Sequence, residues 1–274
     1  MTDHVFIRDG VQLAGCDVGT GTPVIFQHGL GGDRAQVAEV FPDQVGLRRL
    51  TLECRGQGQS ELGPTADVSI ATFTQDVLAF AGRQGAGRFI AGGISMGAAI
   101  ALRLAVTEPA RVRGLILSRP AWAWDAAPDN MRVIAEVAGL LAEHTPKRAL
   151  ALFDASPVAQ RLNIEAPDNL ASLRGYFTRP DPVAMASLLA AIANDGPGVS
   201  PAQVRAIDIP TLVIGNTADA IHAMAMARAL AAAIPGAKFV EVTAKAVDRA
   251  RHAADIRAAI TAFTRSFPLD GVTP

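Results

Sequence analysis

Cysteine is scarce in this chain, with only Cys16 and Cys54 among 274 residues. The two lie far apart and in no metal-ligand spacing. Neither a disulfide framework nor a metal site is expected, and a reducing, cytoplasmic setting fits. An excess of either charge is also lacking, since 25 Lys plus Arg face 26 Asp plus Glu. No basic tract stands out, which argues against nucleic acid as a partner. No apolar run reaches the length that spans a bilayer. The start, Met1-Thr-Asp-His-Val-Phe-Ile-Arg-Asp-Gly10, has neither the basic nor the apolar region of a secretory leader, so no membrane partner is expected. What remains is an Ala-rich chain, 50% apolar and 19% charged, which is ordinary for a soluble protein and long enough for one sizeable core.

The most informative stretch is Phe89 to Ala101, which reads as a strand, a sharp turn at Ser95 and a helix opening at Met96. Gly93-Ile-Ser-Met-Gly97 fits G-x-S-x-G, the nucleophile elbow. A serine on so tight a turn takes strained backbone angles, and its neighbours two before and two after must be small to avoid collision. Around this stretch, short apolar runs alternate with helix-forming ones. Val5 to Ile7 and Val11 to Val18 pair across Asp9-Gly10, a turn dipeptide. Val24 to Gln27, Leu47 to Cys54, Arg88 to Gly92, Val112 to Ser118, Thr211 to Gly215 and Lys238 to Thr243 read as strands. Helices are predicted over Arg34 to Phe41 with Asp33 as cap, over Ser69 to Gly82 and over Ala98 to Val106. Two more are predicted near Ala220 to Ala233 and Asp248 to Phe263.

From Pro120 to Ala206 the rhythm breaks. Helical pieces at Asn130 to His144, Lys147 to Phe153, Pro167 to Phe177 and Pro182 to Ala193 are punctuated by prolines, with no clear strand. The expected architecture is α/β, a mostly parallel central sheet with helices on both faces. Residues 1–119 and 207–274 form its core, residues 120–206 a helical lid insertion, and the tail from Pro268 is frayed. Ligands bind such sheets at the carboxyl ends of the strands. His28-Gly29, Arg55, Ser95, Arg119 and Asn216 to Asp219 all fall there.

Ser95 is the candidate nucleophile. The N–H of Met96, which follows it at the helix start, and the N–H of Leu30, in the glycine-rich loop His28-Gly-Leu-Gly-Gly32, are the candidate oxyanion donors. That loop is not a phosphate loop, because no Gly-Lys-Ser/Thr follows. Asp219, three residues after the strand end at Asn216, is the candidate acid, with helix capping as its plainer role. The base is open. The loop after the last strand, Ala244-Lys-Ala-Val-Asp248, holds no histidine. His252 is the candidate beyond it, a turn into the closing helix. Lys245 lies nearer the expected point, while His222 lies three residues after Asp219, a spacing that favours a local contact over the base position. Arg55 and Arg119 end strands where either could grip a carboxylate or form a structural ion pair. Trp122 and Trp124 sit where the insertion begins, able to wall a pocket or anchor the insertion. His28 and His222 complete the candidate substrate-binding set, although His28 also suits a role in holding its own loop.

Together these pieces resemble the α/β-hydrolase superfamily in its small, lid-bearing esterase, lactonase and perhydrolase-like branch. They are His28-Gly-Leu-Gly-Gly32, Arg55-Gly-Gln-Gly-Gln-Ser60, Gly93-Ile-Ser-Met-Gly97, Leu212-Val-Ile-Gly215 with Asp219, and Ile234-Pro-Gly236. The resemblance implies a Ser–His–Asp triad of Ser95, His252 and Asp219, an acyl-enzyme intermediate, no cofactor and a small-molecule substrate. A homodimer is admitted. Two departures stand out. Gln57 occupies the place where the family loop carries histidine, and the family's catalytic histidine would fall at Ala246 or Val247. Hydrolysis of a small ester, lactone or related acyl compound is the leading expectation. A non-hydrolytic enzyme such as a lyase, or a ligand-binding relative with a degenerate triad, is the alternative.

Overall fold

The first hairpin turns on Asp9 and Gly10, whose φ values of 51° and 78° are the two left-handed conformations that a two-residue turn requires. It pairs β1 (Thr2–Arg8) antiparallel with β2 (Val11–Gly19). The computed structural model describes residues 2–267, so the tail from Pro268 lies outside the described residues. Six further strands complete the sheet there: β3 (Gly21–Gln27), β4 (Gly46–Leu52), β5 (Phe89–Ile94), β6 (Val112–Ser118), β7 (Thr211–Gly215) and β8 (Lys238–Glu241). Their order is β1-β2-β4-β3-β5-β6-β7-β8. β2 meets β4 antiparallel, and every pairing from β4 onward is parallel. The carboxyl ends of the last six strands therefore share one edge of the sheet.

The central strands are buried on both faces. Along β5, Phe89 and Ala91 join one apolar cluster while Ile90 and Ile94 join the other, as the two-residue pleat dictates. One face is covered by α2 (Ile70–Arg83), α3 (Met96–Thr107) and α10 (Met224–Ala233); α2 contributes Phe73, Val77 and Phe80. The other is covered by α1 (Arg34–Val40) and α11 (Arg249–Thr264), through Val37, Val40, Ile256, Ile260 and Phe263. Asp33 caps α1 by accepting from the N–H groups of Ala35 and Gln36, and Ser69 caps α2 through the N–H of Thr72.

Between β6 and β7 the described chain contains no strand. It runs through α4 (Arg132–Glu143), α5 (Pro146–Asp154), α6 (Pro157–Glu165), α7 (Pro167–Arg174), α8 (Pro182–Ala193) and α9 (Pro201–Arg205). Each from α5 to α9 starts on a proline, whose fixed φ suits the first helical turn, where a missing N–H costs nothing. The prolines thus open helices as well as separate them. α6 and α9 were not predicted: α6 buries only Ala159 and Leu162, and α9 has five residues. α10 starts at Met224 rather than near Ala220, because the preceding residues are pinned as a loop by contacts described below.

Candidate active site

β5 ends at Ile94 and the chain turns at once into α3. At that turn Ser95 has φ 56° and ψ −112°, a conformation costly for a residue with a side chain. The close approach explains the flanking glycines. A Cβ on Gly93 would lie 2.4 Å from the carbonyl carbon of Gly97, and one on Gly97 would lie 2.3 Å from the carbonyl oxygen of Gln27. The Ser95 N–H donates to the Ser118 carbonyl at 3.0 Å, tying the turn to the end of β6. Arg119 and Ala218, just beyond β6 and β7, also have positive φ, 47° and 53°. Backbone strain thus gathers at neighbouring strand ends, as it does at functional sites.

Ser95 borders a small cavity of about 80 Å³ beneath the helical segment. Trp122, Met131, Ile134 and Ile221 give it apolar walls, while Arg119, His222 and Lys245 bring polar groups to it. The glycine-rich loop closes a further side, and its backbone is fully tethered around Leu30. The Gly29 N–H donates to Gln36 Oε1 at 2.7 Å, the Gly31 N–H to Gln57 Oε1 at 2.7 Å, and the Gly32 N–H to the Gly29 carbonyl at 2.9 Å. From the helical segment, the Tyr176 hydroxyl donates to the Leu30 carbonyl at 3.0 Å and the Arg179 guanidinium donates to the Gly31 carbonyl. Gln57 therefore does a definite job at the place where the resemblance led to histidine.

His28 does not reach the cavity wall. It is fully buried, its Nε2 accepts from the Cys54 N–H at 3.0 Å, and its Nδ1–H donates to the Gly29 carbonyl at 2.8 Å. Those two bonds fix the tautomer and join two strand-end loops, while burial lowers its pKa and keeps it neutral. Arg55 is likewise structural. Its Nε and Nη2 clamp Asp76 at 2.7 and 3.1 Å, with both side chains almost wholly buried. Of the tryptophans, Trp122 lines the cavity with Nε1 donating to the Asp195 carbonyl at 2.9 Å. Trp124 packs against the core away from the cavity wall.

Asp219 has two partners. Arg119 grips Oδ2 through Nε at 3.0 Å and Nη2 at 2.5 Å. His222 brings Nδ1 to 2.9 Å from Oδ1, and its own backbone N–H donates to the same oxygen at 2.9 Å. Burial alone would raise the Asp219 pKa, but His222 and Arg119 outweigh it and hold the carboxyl well below the usual carboxylate range. For His222 burial dominates and lowers the pKa, with Asp219 pulling it up and Arg119 pushing it down, so the imidazole is neutral at pH 7. The loop carrying this pair is held from the helical segment. Asn169 Oδ1 accepts from the N–H groups of Ala220 and Ile221 at 2.7 and 3.2 Å, and Asn130 Nδ2 donates to the Ile221 carbonyl at 2.6 Å.

His252 lies elsewhere. It is 3% exposed, and its Nδ1 donates to the Thr243 carbonyl at 2.8 Å, which turns the ring back onto its own loop. It lines a second, outer cavity of about 370 Å³ that does not include Ser95. Burial lowers its pKa. Lys245 borders both cavities, and its ammonium pairs with Asp168 at 3.0 Å. The structure thus brings Ser95, Leu30, Arg119, Trp122, His222 and Lys245 to one cavity, with Asp219 behind Arg119 and His222. His28, Arg55, Trp124 and His252 are outside that group.

Residues 22–247 match the model of a family described as alpha/beta hydrolase fold. The chain belongs to the alpha/beta hydrolase fold family. RutD of Klebsiella pneumoniae (strain 342), named a putative carbamate hydrolase, is 29% identical over 231 residues, covering 81% of this chain and 83% of RutD. A shorter match, 29% over 102 residues, covers 36% of the chain and 32% of the sn-1-specific diacylglycerol lipase ABHD11 of Danio rerio. Among solved structures, the enol-lactonase from Burkholderia xenovorans LB400 superposes with a TM-score of 0.68 at 25% identity, covering 96% of this chain and 98% of that one. Membership and these relatives support an enzyme of the hydrolase class.

Asp219 is shared between Arg119 and His222, and the sequence shows only part of this. Asp219 and His222 were legible as a local contact from their three-residue spacing. Asn169, Tyr176 and Gln36 were not singled out. Asn169 meets partners 51 and 52 residues away, so no local pattern marks it.

Proposed function

We propose that the protein hydrolyses a small carboxylic ester, lactone or carbamate through an acyl-enzyme on Ser95, with His222 as base. The observation that carries this reading is one cavity bordered by the elbow serine, the tethered Leu30 loop and an imidazole bonded to a buried carboxylate. Ser95 Oγ attacks the substrate carbonyl carbon, and the carbonyl π electrons move onto its oxygen. The N–H groups of Leu30 and Met96 stabilise that oxyanion; the neighbouring N–H groups of Gly29, Gly31 and Gly32 already have acceptors. His222 Nε2 takes the serine proton while Asp219 accepts from Nδ1 and orients the ring. As the intermediate collapses, the leaving oxygen receives that proton. Water then repeats the sequence, releasing the acid and restoring Ser95. A neutral imidazole at pH 7 is the form this base needs, and the apolar walls suit a short acyl group.

One observation favours a second reading. Arg119 Nη2 lies 3.1 Å from His222 Nδ1. If Arg119 donates there, the ring proton resides on Nε2 and the imidazole becomes a donor, which fits a non-hydrolytic enzyme or a ligand-binding protein. Intact mass after exposure to a small serine-reactive phosphonate separates the two. The expected result is one adduct on the wild type, none on Ser95→Ala, a strongly slowed adduct on His222→Ala and normal labelling of His252→Ala. A folded wild type that takes no adduct overturns the serine-hydrolase reading and leaves the second.

A further inference from the structure

The outer cavity adjoins the Ser95 cavity and shares four wall residues with it, Gln36, Ile94, Arg119 and Lys245. A molecule with its carbonyl at Ser95 has only a short apolar space on one side, and its second arm leads across this shared wall. The outer wall carries four cations, Arg119, Arg179, Lys245 and Arg249, against two carboxylates, Asp33 and Glu39. Three of those cations are already paired: Arg119 with Asp219, Lys245 with Asp168 at 3.0 Å and Arg249 with Glu39 at 2.8 Å. Asp219 and Asp168 lie behind the wall and not on it, and the Asp33 carboxylate is spent capping α1.

Arg179 differs from the other three. Among the described residues no carboxylate lies within 4.0 Å of it, and its recorded bond goes to a neutral carbonyl, that of Gly31. A guanidinium has five N–H donors in a planar fork, so this contact leaves donors for a ligand. It stands on the outer cavity's wall beside the Gly31 carbonyl, next to the loop that also borders Ser95.

We infer that the outer cavity is a carboxylate-binding subsite centred on Arg179, and that the substrate bears a carboxylate on the arm leaving the Ser95 cavity. The second statement rests on the hydrolase reading; the first does not. Two matched pairs of esters test it. Monoethyl glutarate against ethyl glutaramate puts the charge on the acyl arm. Acetoxyacetate against acetoxyacetamide puts it on the leaving arm. In one pair the wild type is expected to favour the carboxylate about tenfold in kcat/KM, carried by KM, the size typical of a hydrogen bond to a charged group. Arg179→Gln is expected to bring that ratio close to one. Because Arg179 also holds the Gly31 carbonyl, the variant can slow both members of a pair, and the ratio within each pair is therefore the readout. Equal hydrolysis within both pairs, or a preference that survives in Arg179→Gln, overturns the subsite and leaves the hydrolase reading standing. If no ester is cleaved, calorimetry with glutarate and glutaramide decides. Binding of glutarate alone, lost in Arg179→Gln, supports the subsite while the hydrolase reading falls; no difference between the two ligands overturns it.

Discussion

The loops after β7 and β8 lie side by side, because the two strands pair in parallel, yet they spend their polar groups in opposite ways. The loop after β7 directs them toward the Ser95 cavity. Asp219 and His222 bond to each other and to Arg119, and the helical segment holds the backbone of Ala220 and Ile221. The loop after β8 turns inward onto α11. Thr243 gives its carbonyl to His252, and its N–H and Oγ1 donate to Asp255 Oδ2 at 3.1 and 2.7 Å. Under the proposed function, an acid and a base three residues apart on one loop need no register between two loops, and their relative placement is set by the backbone. One carboxylate serves both His222 and Arg119, and burial first and then Arg119 lower the basicity of the imidazole.

The contrast can be broken most sharply by removing each histidine. His222→Ala is expected to lower kcat/KM about a thousandfold, within the range for loss of a general base, while His252→Ala changes it less than about threefold for a group remote from the reacting atoms. The opposite order in steady-state kinetics would move the base to His252 on α11. Next in size is Asp219→Asn, which leaves the guanidinium of Arg119, 9% exposed, beside a neutral amide. Breaking one side of a buried pair costs about 3 kcal/mol, to be read from the denaturant midpoint.

Asn169 sharpens the comparison from the side of the helical segment. Although Asn169 also borders the cavity, Asn169→Ala is expected to lower kcat about tenfold with KM little changed, because His222 loses its placement and the apolar walls of Trp122, Met131, Ile134 and Ile221 remain. Asn169→Asp keeps the accepting oxygen and restores much of kcat. Its added negative charge favours imidazolium, so the acid limb of the pH–rate profile moves to higher pH. Unequal KM changes would make Asn169 a binding residue instead.

The smallest expected effect is in pH dependence. With the His222 pKa lowered by burial from the ordinary 6.5, wild-type kcat/KM stays flat through neutral pH and declines only below that value. Stability follows the same sign. Below about pH 6.5 the unfolded chain binds protons that folded His28, His222 and His252 resist, so stability falls as pH drops. Asp219 acts in the same direction lower on the scale: its lowered pKa contributes stability above the unfolded carboxylate value, lost only at more acid pH. Melting curves between pH 5 and 8, a window set by those ordinary pKa values, check it.

The sheet was legible because its signals are local. β6, β7 and α8 fall at the residues that apolar runs and prolines mark, and the elbow announces itself by two glycines around one serine. The destinations of polar side chains were not. Arg55 and Arg119 look alike in sequence, each an arginine closing an apolar strand. One meets Asp76 from a helix 21 residues on, and the other Asp219 from a loop 100 residues on. Which carboxylate folds back onto which arginine is a property of the packed chain. His252 shows the same limit. Its place beyond the last strand can be read from the sequence, but not that α11 directs the ring to Thr243 and the outer cavity.

The helical segment grips two loops beside the Ser95 cavity, the Leu30 loop through Tyr176 and Arg179 and the Asp219 loop through Asn169 and Asn130. Any outward swing that admits a substrate over the small cavity must loosen these same bonds. If the proposed function holds, admission and readiness are then successive in time, with the Ser95 cavity slack while the entrance is wide and competent on reclosing. Speed gained by easier opening is speed lost in commitment, so mutations that loosen the segment and mutations that rivet it down should both slow turnover.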